Sequence, residues 1–228
     1  MRNPFPDSEV IKQFLGLKDY FKKYQTRASF TRIREIAKVG RIIRSYGDTI
    51  AFDLLGSVNF GMADENSDVD MVLYLDCPDL EPGVEMTREN SPKLKLYESL
   101  VIHTLIHALS EDSYKVEIVD YINLSELKLA IENEDTSSDI ISRFVFYRII
   151  CRGINKRFLH MYEKQLLAKP ALLKSIEETL SDALLEFTRS TSHGSSFQKY
   201  MNRLKDHNIH IPESVIKTVM DYLSLTSH

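Results

Sequence analysis

Two aspartates, Asp68 and Asp70, stand one residue apart at the start of an apolar run that ends at Leu75, and an earlier apolar run ends in the pair Gly56-Ser57. Aspartate is a poor strand residue, although the alternation of residue types from Asp68 onward is typical of a strand. Side chains two positions apart on a strand point to the same face of the sheet. We therefore expect both carboxylates on one face, with the apolar side chains between and after them turned toward a core on the other.

Two carboxylates held this close repel each other unless a cation lies between them. Magnesium prefers oxygen ligands and is often bound by one or two carboxylates together with substrate phosphates. Gly56 permits a tight turn and a close approach of the backbone. If a short helix begins after Ser57, its free N–H groups and the serine hydroxyl can bind a phosphate. The segment therefore indicates a site for a phosphate compound and a divalent cation.

A third carboxylate would complete such a site, and the later run KVEIVD supplies two candidates, Glu117 and Asp120. On a regular strand, residues three positions apart face opposite sides of the sheet. Only one of the two can then join Asp68 and Asp70. The periodicity of the sequence does not choose between them.

The composition is that of a globular chain: 228 residues, of which 43% are apolar and 27% charged, enough to form a core. The formal net charge of −4 gives no global indication of nucleic-acid binding. Cys77 and Cys151 are far apart and show neither a metal-binding spacing nor a disulfide pattern. We see no signal peptide and no apolar run of about 20 residues. We therefore expect a cytoplasmic protein without a membrane partner.

The patterning predicts an α+β protein with a small mixed sheet, helices before it and a helical domain after it. Helical spacing occupies residues 8–46, strand-like runs occupy 49–55, 68–75 and 113–122, a helix is predicted near 93–110, and helices alone are predicted from Asp139 onward. Breaks in this last region are expected near Pro170, His193-Gly194 and Pro212. The predicted divisions are an N-terminal helical segment (1–48), a catalytic core (49–127) and a C-terminal helical, substrate-binding domain (128–228).

The ordered set of Gly56-Ser57, a spacer ending in Ser67, and Asp68-Val69-Asp70 resembles the signature of the DNA-polymerase-β-like nucleotidyltransferase superfamily, and is closest to its minimal (MNT-type) members. The resemblance covers roughly residues 49–127. In those proteins the third acid stands first in an acid-apolar-apolar-Asp sequence, which here assigns Glu117 and leaves Asp120 as a structural neighbour. The chain departs from the pattern after the serine, where Val58, Asn59 and Phe60 occupy positions that often hold arginines.

The resemblance implies a metal-dependent transferase that moves a nucleoside monophosphate, most often AMP from ATP, onto a hydroxyl and releases pyrophosphate. It makes Asp68, Asp70 and Glu117 the catalytic carboxylates that bind two Mg²⁺ ions, with Glu117 also accepting the proton of the attacking hydroxyl. Gly56, Ser57 and Ser67 would bind the nucleotide. The acceptor stays open between a small molecule and a protein hydroxyl. The alternative is a catalytically silent nucleotide-binding or antitoxin-like interaction module.

Basic residues suggest further contacts. Arg148, Arg152 and Lys156 lie four apart on a predicted helix, so Arg148 and Arg152 are candidate nucleotide-binding residues, the alternative being a solvated helix face. Near the end of the chain, Lys199, Arg203 and Lys205 either line a pocket or belong to a helix pair.

The basic run at residues 27–44 could face RNA or an acidic partner, but we favour a solvated face, so nucleic acid is possible but not favoured. His103 and His107 have a metal-compatible spacing but no evident third ligand, and we expect them to be structural.

Overall fold

The computed structural model describes residues 3–81, 84–110, 114–189 and 191–224, and their strands form one mixed sheet. The strands are β1 (Ile50–Leu54), β2 (Val69–Leu75), β3 (Val116–Asn123) and β4 (Arg152–Ile154). Their order across the sheet is β3-β2-β1-β4. Strand β1 is antiparallel to both of its neighbours, whereas β2 and β3 are parallel. The expected class, α+β with a small mixed sheet, is confirmed at this level.

Helices precede, connect and follow the strands, and several begin at side-chain caps that the sequence supplies. Thr26 accepts a hydrogen bond from the Ser29 amide at the start of the second helix, and Ser91 precedes a proline at the first position of the fourth. The helices are α1 (Glu9–Lys22), α2 (Arg27–Ser45), α3 (Gly56–Phe60), α4 (Pro92–Leu96), α5 (His103–Leu109), α6 (Leu124–Asn133), α7 (Asp139–Ile150), α8 (His160–Leu167), α9 (Pro170–Arg189), α10 (Thr191–Asp206) and α11 (Glu213–Ser224), with a π-helical segment at Tyr97–Ile102 and a 3-10 turn at Lys156–Leu159.

Each face of the sheet is covered by a different set of helices. Val72 and Tyr74 of β2 pack in one apolar cluster with α1 and with the helices from α6 onward. Met71, Leu73 and Leu75 pack in a second cluster with α2, α4 and α5. This alternation follows from the period-two geometry of a strand. It places Asp70, two residues before Val72, on the face covered by α1 and the C-terminal helices.

The stretch after Asp139 is not entirely helical as predicted. Helix α7 ends at Ile150, and β4 pairs with β1 so that Arg152 lies opposite Leu54. The absence of a side chain at Gly153 leaves room for the Arg148 guanidinium, because a Cβ there would lie 2.6 Å from one of its nitrogens. The break expected near His193-Gly194 lies a few residues earlier, since α9 ends at Arg189 and α10 begins at Thr191.

A polar cluster is buried between the first strand and the helices that cover it. The Asp53 carboxylate is fully buried, accepts a hydrogen bond of 2.6 Å from the Tyr74 hydroxyl and forms an ion pair with Arg148. Arg148 also donates from Nε to Glu163 at 2.8 Å. Nearby, the buried Lys18 ammonium donates to two backbone carbonyls of the α7–β4 connection, and burial lowers its pKa to about 7. The cluster ties α1, β1, α7 and α8 together.

Within the described part of the chain, the helices are too short or too polar to cross a lipid bilayer.

Candidate active site

The carboxylates of Asp68, Asp70 and Glu117 lie together at the start of two parallel strands. Asp70 of β2 stands directly opposite Glu117 of β3 in the register of the sheet, and Asp68 precedes Asp70 by two residues on the same strand path. Burial, followed by the charges of Glu117 and Asp68, raises the pKa of Asp70. The three acids are therefore close enough to destabilise the ionised form of Asp70.

Asp120 does not join Asp68, Asp70 and Glu117, because it forms an ion pair with Arg143. The expected reason was instead that Asp120 would lie on the opposite face of the sheet. A β-bulge at Val119 makes Ile118 pair with Met71 and Asp120 pair with Val72, so that Asp120 lies on the same face as Glu117. The prediction that the two acids face opposite sides is therefore wrong, because the bulge shifts the alternation by one residue. Asp120 instead accepts two hydrogen bonds from the guanidinium of Arg143, one of them 3.0 Å from Nε.

The turn after β1 brings the backbone of Gly56 against the Asp70 carboxylate. The Leu55 amide donates to the Asp70 carbonyl at 2.9 Å, and α3 begins at Gly56, two residues earlier than expected. Gly56 has a φ of +57°, and a Cβ built there would lie 2.6 Å from Oδ2 of Asp70. Glycine is needed at this position both for its backbone conformation and for the space that the carboxylate occupies.

We expect Gly56→Ala to disturb the site beyond its backbone cost. A left-handed conformation costs an L-residue about 1–2 kcal/mol, and the new methyl group must also displace the Asp70 carboxylate. Gly47→Ala is the matched control, because Gly47 has a φ of +94° with nothing within 4 Å of an added Cβ. Urea unfolding should show a loss for both variants that is larger for Gly56→Ala. If the site binds a nucleotide with Mg²⁺, as the sequence predicts, only Gly56→Ala should lose that binding. Equal nucleotide binding by the two variants would contradict the assigned role of Gly56.

Asp68 and Asp70 line a cleft of about 530 Å³ between the sheet and the C-terminal helices, which is within the size range of small-ligand sites. Glu117 is not among the lining residues of this cleft. One wall comes from the β1–α3 turn and the segment that leads into β2, and the other from α9 and α10. The lining residues are Leu55, Gly56, Ser57, Phe60, Met62, Ser67, Asp68, Asp70, Val119, Phe187, Ser196, Phe197, Lys199 and Tyr200. Gly56, Ser57, Ser67, Asp68 and Asp70, which were singled out from the sequence, thus line one cavity.

Lys199 of α10 is the one lysine or arginine among the described residues that line this cleft. Its ammonium lies 2.8 Å from Oδ2 of Asp64, and its side chain is 62% exposed. Asp64 also accepts a hydrogen bond from the Ser67 hydroxyl at 2.8 Å. The sequence shows Lys199 in a basic helical segment, but its place over the sheet depends on how α10 folds back, which no local pattern reveals.

The two arginines expected to bind nucleotide are not part of the cleft lining. Arg148 is 4% exposed and is held between Asp53 and Glu163, so its charge serves the buried cluster. Arg152 lies on β4 and donates to the Gln25 side chain at 2.9 Å. The helical stripe that was to join them with Lys156 does not exist, because α7 ends before Arg152. The prediction that Arg148 and Arg152 share one basic helical face is therefore wrong.

The oxygen atoms of the site suit a cation that also takes ligands from a bound phosphate. Among the described residues, no group of three or more His, Cys, Asp or Glu side chains is arranged to hold a metal ion by itself. Magnesium is usually bound by one or two carboxylates together with substrate phosphates and water. A cation beside Asp70 would favour its ionised form and so oppose the burial and the charge repulsion that raise its pKa. His103 and His107 are both exposed on α5.

The site thus consists of a cleft of ligand size that is lined by two acids, a glycine-serine turn and one lysine, with Glu117 opposite Asp70 on the neighbouring strand. Comparison of the chain with protein-family models, with curated proteins and with solved structures gives no significant match.

Proposed function

We propose that the protein is a nucleotidyltransferase of the polymerase-β-like type, which transfers AMP from ATP onto a hydroxyl acceptor and releases pyrophosphate. The observation that carries the proposal is the pairing of Asp70 with Glu117 on parallel strands, with Gly56, Ser57 and Asp68 lining the same cleft. The negative charge of these clustered carboxylates would attract the cations that phosphoryl transfer requires. In that reaction, positioning and charge neutralisation supply most of the catalysis.

Asp68 and Asp70 would hold Mg²⁺ together with the triphosphate, and Glu117 would complete the carboxylate set. When bound, two Mg²⁺ ions supply positive charge to the attacking and leaving oxygens. The acceptor hydroxyl oxygen forms a bond to the α-phosphorus, and the bond from that phosphorus to the bridging oxygen of the β-phosphate breaks. Glu117, which pairs with Asp70 in the sheet and has a side chain that is 58% exposed, would accept the hydroxyl proton.

Lys199 offers the cation that the segment after Ser57 lacks. Val58, Asn59 and Phe60 are buried and contribute no charge, so a triphosphate needs a positive side chain from another element. Lys199 reaches the cleft from α10 and is largely solvent-exposed. A triphosphate carries more negative charge than the single Asp64 carboxylate, so it competes favourably for the ammonium. We therefore assign Lys199 to the β- and γ-phosphates.

The first test is the melting temperature of the protein with each of the four ribonucleoside triphosphates, with and without Mg²⁺. A ligand at about 100 times its Kd adds about 2.7 kcal/mol, which for a chain of this size raises the Tm by roughly 5–10 °C. We expect ATP with Mg²⁺ to give this shift in the wild type and no shift in the Asp68→Asn/Asp70→Asn variant.

Any other outcome of the melting-temperature test would change or refute the proposed function. A shift that persists in the double variant would place the nucleotide elsewhere. A shift without pyrophosphate release, in the presence of candidate small-molecule and protein hydroxyl acceptors, would replace the enzyme by a nucleotide-binding module. No shift with any triphosphate would refute the proposal.

A further inference from the structure

A second, larger groove lies beside the candidate active site and has a basic wall. Its volume is about 940 Å³. Helix α2 forms one wall, and the loop at residues 63–66 and the end of α10 form the other. The lining residues are Thr26, Arg27, Ala28, Thr31, Arg34, Glu35, Lys38, Arg41, Ala63, Asp64, Glu65, Asn66, Leu109, Arg203 and His207. The proposed function does not use this groove.

The basic wall is a continuous stripe on α2. Arg27, Arg34, Lys38 and Arg41 follow one another at spacings of seven, four and three residues, which places them on one helical face. All four are exposed, and in the part of the chain that the structure describes none of them belongs to an ion pair. In a chain with a net charge of −4, this stripe concentrates positive potential on one surface.

The acids of the groove cancel only part of this charge. Glu35 accepts a hydrogen bond of 2.7 Å from the Tyr114 hydroxyl. Asp64 is already paired with Lys199 and Arg203, at 2.8 Å and 3.0 Å. Glu65 is the remaining acid of the lining. Among the described residues, the four lining cations that have no ion pair all belong to the α2 wall, against the two lining acids Glu35 and Glu65 that have none either.

From this geometry we propose that the groove binds single-stranded nucleic acid. The stripe from Arg27 to Arg41 is about 21 Å long at 1.5 Å per residue, long enough to contact several consecutive phosphates. Three of its four cations are arginines, whose planar guanidinium groups bind phosphate oxygens in pairs. A strand of backbone phosphates presents negative charge at regular intervals along such a wall.

Phe30 favours a single strand over a duplex or an acidic peptide. Its ring borders the basic stripe on α2, is 54% exposed, and lies 5.6 Å from the Arg34 guanidinium carbon. An exposed aromatic ring beside a basic groove provides a stacking surface for an unpaired base. A duplex keeps its bases inside, and an acidic peptide has no flat base to stack.

The groove and the cleft are separated by a single turn. Asp64 lines the groove, and Ser67, which donates a hydrogen bond to it, lines the cleft. Lys199 and Arg203, one helical turn apart on α10, reach Asp64 from the cleft side and the groove side. The bound strand would therefore pass next to the carboxylate site, although its binding requires neither nucleotide nor catalysis.

The test is fluorescence anisotropy with labelled 12-nucleotide U and dT oligomers, in EDTA and without triphosphate, from 50 to 200 mM salt. We expect binding of both oligomers with a log–log salt slope of about −3, since each of four neutralised phosphates contributes roughly 0.7. Arg34→Gln/Arg41→Gln should weaken binding about tenfold at 50 mM salt and reduce the slope by about 1.4. Phe30→Ala should weaken binding without changing the slope.

Lys164→Gln/Lys217→Gln is the matched control, because it removes the same charge from exposed positions on α8 and α11. This control and Asp70→Asn should bind as the wild type does, so failure of the proposed transferase activity leaves the assay unaffected. The inference is overturned if the control weakens binding as much as the groove variant, or if a polyglutamate peptide of equal charge competes as well as the oligomers. Absence of binding at 50 mM salt would show that the stripe is an ordinary solvated face.

Discussion

Asp70→Asn is expected to abolish pyrophosphate release while making the protein without ligands more stable. In the proposed transferase, loss of this ligand of the catalytic cation would remove about 4 kcal/mol of transition-state stabilisation, which corresponds to a roughly thousand-fold lower kcat/KM. The same substitution removes a charge that burial and the acids Glu117 and Asp68 disfavour. Removing a like-charge contact on a sheet is worth about 0.5–1 kcal/mol, and partial solvent screening places the gain at the lower end.

The gain in stability should depend on pH with a definite sign. The folded-state pKa of Asp70 is raised, so the unfolded chain releases this proton at a lower pH than the folded protein does. The wild type therefore loses stability as the pH rises from the usual aspartate pKa to the folded value, and Asp70→Asn lacks this loss. Both proteins should be unfolded in urea between pH 3 and 8. In acid, this effect should not separate the two stabilities, whereas at neutral pH the variant should be the more stable.

Asp79→Asn serves as the control for both readouts, because Asp79 is an exposed acid in the loop after β2. It should leave turnover and the pH dependence unchanged. An Asp70→Asn variant that keeps wild-type activity would contradict the catalytic assignment. A variant that is less stable than the wild type at neutral pH would show instead that the Asp70 carboxylate has a stabilising partner.

Arg148→Met should cause the largest loss of stability, about 3–5 kcal/mol, with no direct effect on nucleotide contacts. Arg148 is 4% exposed, and it is the cation between the buried carboxylates of Asp53 and Glu163. Removing one partner of a buried ion pair leaves an uncompensated buried charge. The measurement is the free energy of unfolding in urea.

A double variant separates the effect of the unpaired buried carboxylate from the effect of lost side-chain packing. Arg148→Met/Asp53→Asn should recover part of the loss, because the buried carboxylate that remains without its cation is then neutral. Arg157→Met, at an exposed position in the 3-10 turn, should change stability by less than about 0.5 kcal/mol. If Arg148→Met proves as mild as Arg157→Met, the ion pair does not hold the cluster together. If Arg148 instead binds nucleotide, its loss would lower affinity without lowering stability.

The part of the candidate site that is formed by residues close together in the sequence could be predicted from the sequence. The alternation around Asp70 defines a strand and its faces, and Gly56-Ser57 follows directly from the end of the preceding strand. Both features depend on residues within a few positions of each other, where covalent spacing determines geometry. The structure accordingly places Gly56, Ser57 and Asp68 in one cleft with Asp70.

The remaining features depend on contacts between distant segments. The bulge at Val119 leaves no mark in the apolar pattern, so the face of Asp120 was predicted wrongly. In the sequence, Arg148 looks like a residue on the exposed face of a helix. Only the packing of α7 over β1 shows that its charge is paired with the buried Asp53 carboxylate. Strand β4 is three residues long, too short for periodicity to distinguish from the end of a helix. Lys199 reaches the cleft through the return of α10 over the sheet.

The parallel pairing of β2 and β3 has a consequence for the order in which the chain folds. Asp70 and Glu117 meet only after the whole α4–α5 crossover has been placed, and the sheet is completed by β4, which is contributed from beyond α7. Closing such long loops requires loss of chain entropy before the distant contacts form, and contacts of high sequence separation form slowly. We infer that the three acids come together late. During refolding, ligand binding at these residues should therefore develop at the rate of the last folding phase. An early collapsed species should not bind the ligand.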